Sequence, residues 1–293
     1  MSNNVQRVLF AVVAIPIAIG VVFWGGLPLA LLVSIIAALG ANELVAIARK
    51  QGLEPLWRHA LVMSALVPLG VWLSYGGTVV QAAGIDFTSL LPSTWFAVAG
   101  TVIWILTATL IRRHPNQHPL GVASTTIMAV LYCAVLPSFL LGIRYATGTD
   151  RQWPATWAVF FPLAVTWICD SVAMYAGKSI GGPKLAPVVS PGKTRSGSLA
   201  GLIGGIVAAV AYNRLAMVPS GFAISDLQAV AFGLVLSVAA QVGDLAESLF
   251  KREAGVKDSS GLIPGHGGVL DRFDALYFVV PIAAMLYRLF GVI

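Results

Sequence analysis

The sequence predicts an all-α, polytopic membrane protein with about nine transmembrane helices and a cytoplasmic amino terminus. Three observations carry that expectation. Of the 293 residues, 58% are hydrophobic and only 10% are charged, a composition suited to lipid rather than water. Apolar runs close to the ~20 residues that a bilayer core demands follow one another down the whole chain. Lys and Arg residues gather in alternate connections between those runs.

In chain order the runs are Val8 to Phe23, Leu27 to Ala48, Ala60 to Tyr75, Trp95 to Ile111, Gly121 to Gly142, Trp157 to Ala176, Ser198 to Met217, Leu227 to Phe250 and Ala275 to Phe290. Gly25 and Gly26 join the first two in a tight hairpin. Because apolar runs continue after it, the first one reads as a retained helix and not as a cleaved signal. An odd number of crossings puts the termini on opposite sides. With the amino terminus inside, Arg7, Arg49, Lys50, Arg58, Arg112, Arg113, Lys178, Lys184, Lys193, Arg195, Lys251, Arg252, Lys257 and Arg272 are cytoplasmic. Only Arg144, Arg151, Arg214 and Arg288 remain outside. That imbalance sets the orientation and brings the two long polar connections, after the sixth and eighth runs, to the cytoplasmic face.

No internal repeat, low-complexity tract or linker divides the chain, so residues 1–293 read as one integral membrane domain. Residues 1–150 are expected to be mainly scaffold, and residues 155–293 to supply the catalytic helices and cytoplasmic loops. The net charge of +6 is spread between apolar runs, which excludes a nucleic-acid surface and leaves the lipid bilayer as the partner. Cys133 and Cys169 stand singly inside apolar runs, without a CxxC pair, and are read as structural. His114 and His118 have the spacing of a metal pair, but Pro115 and Pro119 argue against a helix there, so a solvated loop is the reading.

The chemistry concentrates late in the chain. An ionised residue at the centre of a span costs roughly 2.5–3.5 kcal/mol and needs a partner or a wet cavity. Asp170 lies inside the sixth run, and Gln241, Asp244, Ser248 and Lys251 line one face near the end of the eighth, with Glu247 beside them. Taken alone, Asp244 and Glu247 also fit a bland alternative, interfacial acids neutralised by Lys251 and Arg252. The connection that follows favours a site. Gly265, Gly267 and Gly268 permit close backbone approach, while Asp271 and Asp274 share a face at the start of the ninth run. Carboxylates, cations and exposed amides in one short segment suit a metal-bound polyphosphate. The earlier loop, from Gly181 through Ser190, Pro191, Gly192, Lys193 and Thr194 to Gly197, has matching chemistry. It is no Walker A loop, because Pro187 stands where that motif needs its first glycine. A flexible loop with snorkelling lysines is its plain alternative.

The unbroken segment from Ser248 to Asp274, with Lys251, Arg252, Lys257, Asp258, His266, Gly267, Gly268, Asp271, Arg272 and Phe273, resembles the signature of the phosphatidate cytidylyltransferases. Asp170 with Ser171, Ala173, Tyr175 and Gly177, and then Ser190 to Thr194, resemble the same family. The similar regions cover roughly the carboxyl-terminal two-fifths of the chain. The resemblance implies that CTP and phosphatidic acid are the substrates, that CDP-diacylglycerol and pyrophosphate are the products, and that Mg2+ is required. It also implies that Asp244 and Asp271 hold the metal and that Lys251 and the loop residues bind nucleotide phosphates. One departure stands out: the family usually carries an acidic residue or glutamine where this chain has Ser196.

The expected site follows. Asp244 and Asp271 hold magnesium, supported by Asp170 and Asp274. Lys193, Lys251, Lys257 and Arg272 meet phosphates, and Asp258 belongs to the same catalytic set. Ser190, Thr194, Arg252, Gly265, Gly267 and Gly268 line the substrates, and His266 braces the glycine turn, with donation to a phosphate oxygen as the alternative. Phosphatidate already carries an anionic oxygen, so no strong base or covalent intermediate is needed; the obstacle is bringing two anions together. The site is expected at the cytoplasmic face of the inner (cell) membrane, and a homodimer is compatible with a polytopic enzyme of this size. A CTP-dependent polyprenol or phytol kinase is the nearest rival. A secondary transporter is a more distant one, disfavoured because the acidic residues lie toward one side and no paired interrupted helices occur.

Overall fold

A computed structural model describes residues 3–75, 94–146, 152–263, 265 and 267–293. Helices dominate it. The first four are α1 (Asn3–Trp24), α2 (Gly26–Lys50), α3 (Trp57–Ser74) and α4 (Thr94–Arg112). They are followed by α5 (Pro119–Ala146), which contains a π turn at Leu131–Val135, and by α6 (Gln152–Ile180). Next come α7 (Arg195–Ser220), α8 (Asp226–Glu253), the single turn α9 (Leu270–Phe273) and α10 (Leu276–Leu289). Each apolar run of the sequence lies within one of these helices or exceeds it by no more than one residue at an end. Among the described residues, five helices are long and apolar enough to cross a membrane: α2, α5, α6, α7 and α8.

The first departure from an all-helical reading lies between α6 and α7. Strand β1 (Lys184–Ala186) pairs antiparallel with β2 (Ser190–Thr194), Lys184 opposite Thr194 and Ala186 opposite Ser190. Gly181 and Gly182, with φ of 68° and 98°, turn the chain out of α6 into this hairpin, a backbone region that glycine enters without strain.

The helices gather into two compact units, Met1–Leu141 with Glu253–Arg272, and Gly142–Arg252 with Phe273–Ile293. In the first unit α2 packs on α3 and on the amino-terminal part of α5. Ala37, Ile105, Val130 and Ala134 form a buried cluster there, with Met63, Val67 and Ile127 against it.

In the second unit α7 lies along α6, and α10 also packs on α6. Glycines make the close approach of α7 possible. A Cβ on Gly201 would sit 2.8 Å from the Ala173 Cβ and 2.8 Å from the Cys169 carbonyl oxygen, and one on Gly197 would sit 2.6 Å from the Ala173 carbonyl oxygen. Gly197, Gly201 and Gly205 recur every fourth residue, the small-residue spacing by which helices in lipid bring their backbones together. Away from that stripe, the rings of Phe161, Tyr212, Phe232 and Tyr287 pack together, one from each of α6, α7, α8 and α10. The Tyr287 hydroxyl donates to the Ala158 carbonyl at 2.9 Å, so its polar end is satisfied inside the core.

Candidate functional site

The second unit assembles its polar centre around the start of α7. Thr194, in extended backbone at φ −114°, caps that helix by accepting from the Gly197 amide at 3.1 Å. Ser196, the departure from the family pattern, donates to the Gly181 carbonyl and so ties the end of α6 to the start of α7. Because the cap fixes where α7 begins, Lys193 is fixed as the residue just before the cap. Its ammonium nitrogen lies 2.7 Å from Asp244 Oδ2, on the polar face of α8.

Asp244 is the meeting point of that face. Its Oδ1 accepts from the Ser248 hydroxyl at 3.2 Å, one helical turn along. One turn earlier Gln241 donates to the Ser198 carbonyl at 3.1 Å and accepts from the Ser198 hydroxyl, which joins α8 to α7. Glu247 is fully buried and forms an ion pair with Lys251 on the same helix. A buried charge of this kind is tolerated only with its partner in place. Arg252 donates from Nε to the Val189 carbonyl at 3.1 Å and fastens the end of α8 to the hairpin turn.

Asp274 comes to α8 through a glycine. A Cβ on Gly243 would lie 2.8 Å from the Asp274 carbonyl oxygen and 3.1 Å from the Ala275 Cα, so only glycine lets the turn after α9 approach beside Asp244. Burial pushes the Asp274 carboxyl up to about 7, and the nearby Asp244 carboxylate adds to the rise, with Asp170 contributing least. The bond from the Ala275 amide and the charge of Lys251 oppose it.

The signature loop belongs to the first unit and has its own centre. Gly265 and Gly267, with φ of 74° and 83°, make a tight turn that the Ile263 amide closes on the Gly267 carbonyl at 2.8 Å. Asp271 is buried at the start of α9, and its Oδ2 accepts from the Ser259 amide at 2.9 Å, the Ser259 hydroxyl at 2.8 Å and the Gly268 amide at 2.8 Å. Lys257, Asp258 and Arg272 are exposed around it. His266 lies outside the described residues.

One residue that the sequence reading passed over organises this loop. Glu43, in α2, is 4% exposed and accepts four hydrogen bonds. They come from the Ser259 hydroxyl at 2.8 Å, the Ser260 hydroxyl at 2.6 Å, the Val269 amide at 3.0 Å and the Leu270 amide at 2.7 Å. A side chain at Gly268 would collide with Glu43 and Ser259, so the glycine is required by this packing. The available signal was a lone carboxylate within an otherwise apolar run, which has to be satisfied by something.

The predicted residues therefore fall into three groups. Lys193, Asp244 and Asp274 come together within the second unit, where Thr194, Arg252 and Lys251 also hold the local structure. Gly267, Gly268 and Asp271 come together within the first. Asp170, on α6, lies close enough to Asp244 and Lys193 for their charges to interact, and Ser190 begins β2.

A family model described as the cytidylyltransferase family matches residues 5–290. The chain is similar to the phosphatidate cytidylyltransferase of Haemophilus influenzae, 32% identical over 290 residues that cover 96% of this chain and 98% of that protein. The phosphatidate cytidylyltransferase of Bacillus subtilis is 32% identical over 291 residues, 99% of this chain and 100% of that protein. The one from Brucella abortus reaches 46% identity over 135 residues, 46% of this chain and 47% of that protein. The likeness thus runs well beyond the carboxyl-terminal motifs and takes in the helices that carry Glu43 and the first unit.

Proposed function

The chain belongs to the cytidylyltransferase family, and from that premise we propose how its residues divide the work. It is a nucleotidyltransferase that moves the cytidylyl group of CTP onto phosphatidic acid, giving CDP-diacylglycerol and pyrophosphate in phospholipid biosynthesis. The observation that carries the site assignment is the Lys193–Asp244 pair, 2.7 Å apart on the polar face of α8. A cation and a carboxylate side by side support a site that receives a phosphate and its counter-ion.

In the reaction an anionic phosphatidate oxygen forms a bond to the α-phosphorus of CTP as the bond to the pyrophosphate oxygen breaks. No base is needed to generate that nucleophile, and no side chain becomes acylated or phosphorylated. The protein's task is to hold two anions together, an electrostatic task for fixed cations. Lys193, Lys257 and Arg272 take the phosphates, joined by Lys251 and Arg252 as α8 ends. Gly265, Gly267 and Gly268 offer backbone amides, with His266 bracing their turn and Asp258 beside them. Ser190 and Thr194 form the wall around Lys193.

The donor set fits magnesium, a hard cation that prefers oxygen ligands. Burial is the main cause of the raised Asp274 carboxyl, but Asp244, and more weakly Asp170, are close enough to oppose its charge, and a cation would relieve that repulsion. Among the described residues, no three acids or histidines gather as a ligand set. Magnesium takes one or two carboxylates and completes its shell with substrate phosphates and water. Asp271 keeps the metal-holding role that the family motif gives it. Bound magnesium would neutralise phosphate charge and aid pyrophosphate departure.

The same proposal includes about nine crossings with the amino terminus inside. Lys193, Asp244 and the signature loop then face the cytoplasm of the inner membrane, where CTP is available, and phosphatidic acid enters sideways with its acyl chains left in the bilayer. A homodimer is compatible with this arrangement. Chelation tests the metal. Purified enzyme stripped with EDTA should lose cytidylyl transfer and regain it with Mg2+. At a fixed subsaturating Mg2+ concentration, activation should grow as pH rises through about 7, because Asp274 must give up its proton to serve a cation. Full activity in excess EDTA would refute the metal assignment.

A further inference from the structure

The first unit carries a cationic cleft that the reaction leaves unused. Its volume is about 430 Å³, within the range of ligand sites, and it is lined by Pro55, Leu56, Trp57, Arg58, His59, Arg112 and Arg113. Among the described residues, no carboxylate and no residue of the signature loop lines it. Glu54, the nearest acid in sequence, directs its carboxylate to Arg49 at 3.5 Å. Arg113 spends one guanidinium nitrogen on the Glu54 carbonyl at 2.7 Å, and its Nε is buried without a hydrogen-bond partner among the described residues. Arg58 lies over the Trp57 ring, 5.4 Å from its centroid, a contact that leaves its charge available.

The helix ends add to the field. The first turn of α3 opens into the cleft through Trp57, Arg58 and His59, and that turn has no acidic residue and no side-chain cap. The positive end of the helix dipole therefore reinforces three arginines instead of being neutralised. Free phosphate would satisfy such a cleft, but its surroundings select a lipid. Exposed apolar side chains continue directly from the arginines, Leu110 and Ile111 on α4 at 82% and 77% exposure and Val62 on α3 at 54%. Trp57 and Trp104 are also exposed, and tryptophans of this kind sit at the headgroup level.

We propose that this cleft binds the phosphate group of an anionic membrane phospholipid, whose acyl chains run along the apolar faces of α3 and α4. The site is separate from acceptor binding, since it needs a negative headgroup and not a phosphomonoester. It would hold the first unit at the cytoplasmic leaflet, where anionic lipids attract clustered arginines.

Native mass spectrometry of the full-length protein, released from a neutral detergent with added phosphatidylglycerol or phosphatidylcholine, reads this out. The wild type should retain phosphatidylglycerol in preference to phosphatidylcholine. An Arg58→Gln/Arg112→Gln double variant, which leaves the Arg113 hydrogen bond intact, should weaken phosphatidylglycerol binding by roughly thirty-fold and leave phosphatidylcholine binding unchanged. Arg58→Lys/Arg112→Lys keeps both charges and should retain most of the affinity. Equal retention by the wild type and the Gln variant would overturn the proposal, as would a Lys variant as weak as the Gln variant, which would indicate packing instead of charge. Displacement of the lipid by millimolar inorganic phosphate would make this a free-anion site, and displacement by CTP a nucleotide site; either would also overturn it.

Discussion

Replacing Asp244 by Asn should lower kcat by on the order of 10²–10³-fold, the loss expected when one fixed electrostatic group is removed from a phosphoryl-transfer site. Asn keeps the size and an acceptor oxygen for Ser248 but carries no charge. Two effects follow from that loss. The Lys193 ammonium, 2.7 Å away, loses the partner that positions it, and any cation loses a hard anionic ligand. Half-saturating Mg2+ should therefore rise in the same variant, while the unfolding midpoint in detergent changes little. A double variant separates the two effects. If Asp244 only neutralised Lys193, Asp244→Asn/Lys193→Gln would regain activity by removing the orphaned cation. If both act on phosphates and metal, the double variant stays as inactive as the single ones. More than a tenth of wild-type activity in Asp244→Asn would remove Asp244 from the reaction.

Gly201→Val should cost more than about 3 kcal/mol, beyond the usual range for overpacking a core. Even the Cβ would stand 2.8 Å from both the Ala173 side chain and the Cys169 carbonyl, and a carbonyl within a helix cannot swing aside as a flexible side chain can. α7 would have to move off α6 and carry with it the Thr194 cap and Lys193. The expected result is a large fall in the unfolding midpoint in detergent, with loss of folded protein at 37 °C. Gly121→Ala makes a useful contrast, because a Cβ there would meet only the terminal methyl groups of Leu53, which can shift. A Gly201→Val protein as stable as the wild type would contradict the close packing of α6 and α7.

The helices were legible because lipid imposes a length and an apolar composition that hydropathy detects directly. Ala60 to Tyr75 and Ala275 to Phe290, read from the sequence alone, differ from α3 and α10 by only a few residues at their ends. The β1–β2 hairpin was not legible, since strands of three and five residues in a polar, proline-bearing loop give no alternating pattern. The polar face of α8 was readable from helical spacing, and Asp244 does meet Ser248 across one turn. The partners of that face were not, because Lys193 on β2 and Ser198 on α7 reach it from 51 and 43 residues away in sequence. Glu43 shows the same limit more strongly. It hydrogen-bonds to Ser259 and Leu270 across separations of 216 and 227 residues, which no local pattern records. Thr194 illustrates a different difficulty: a hydroxyl in a phosphate-binding motif and a hydroxyl that caps a helix look alike in sequence, and here the capping role is visible in the geometry.

The transfer of a cytidylyl group, and not of a single phosphate, is most directly tested with CTP labelled in turn at the α- and γ-phosphorus. Purified enzyme, phosphatidic acid and Mg2+ should place the α-label, with cytidine, in the lipid product and leave the γ-label entirely in pyrophosphate. Recovery of the γ-label in lipid without the α-label would contradict the account and identify a CTP-dependent lipid kinase.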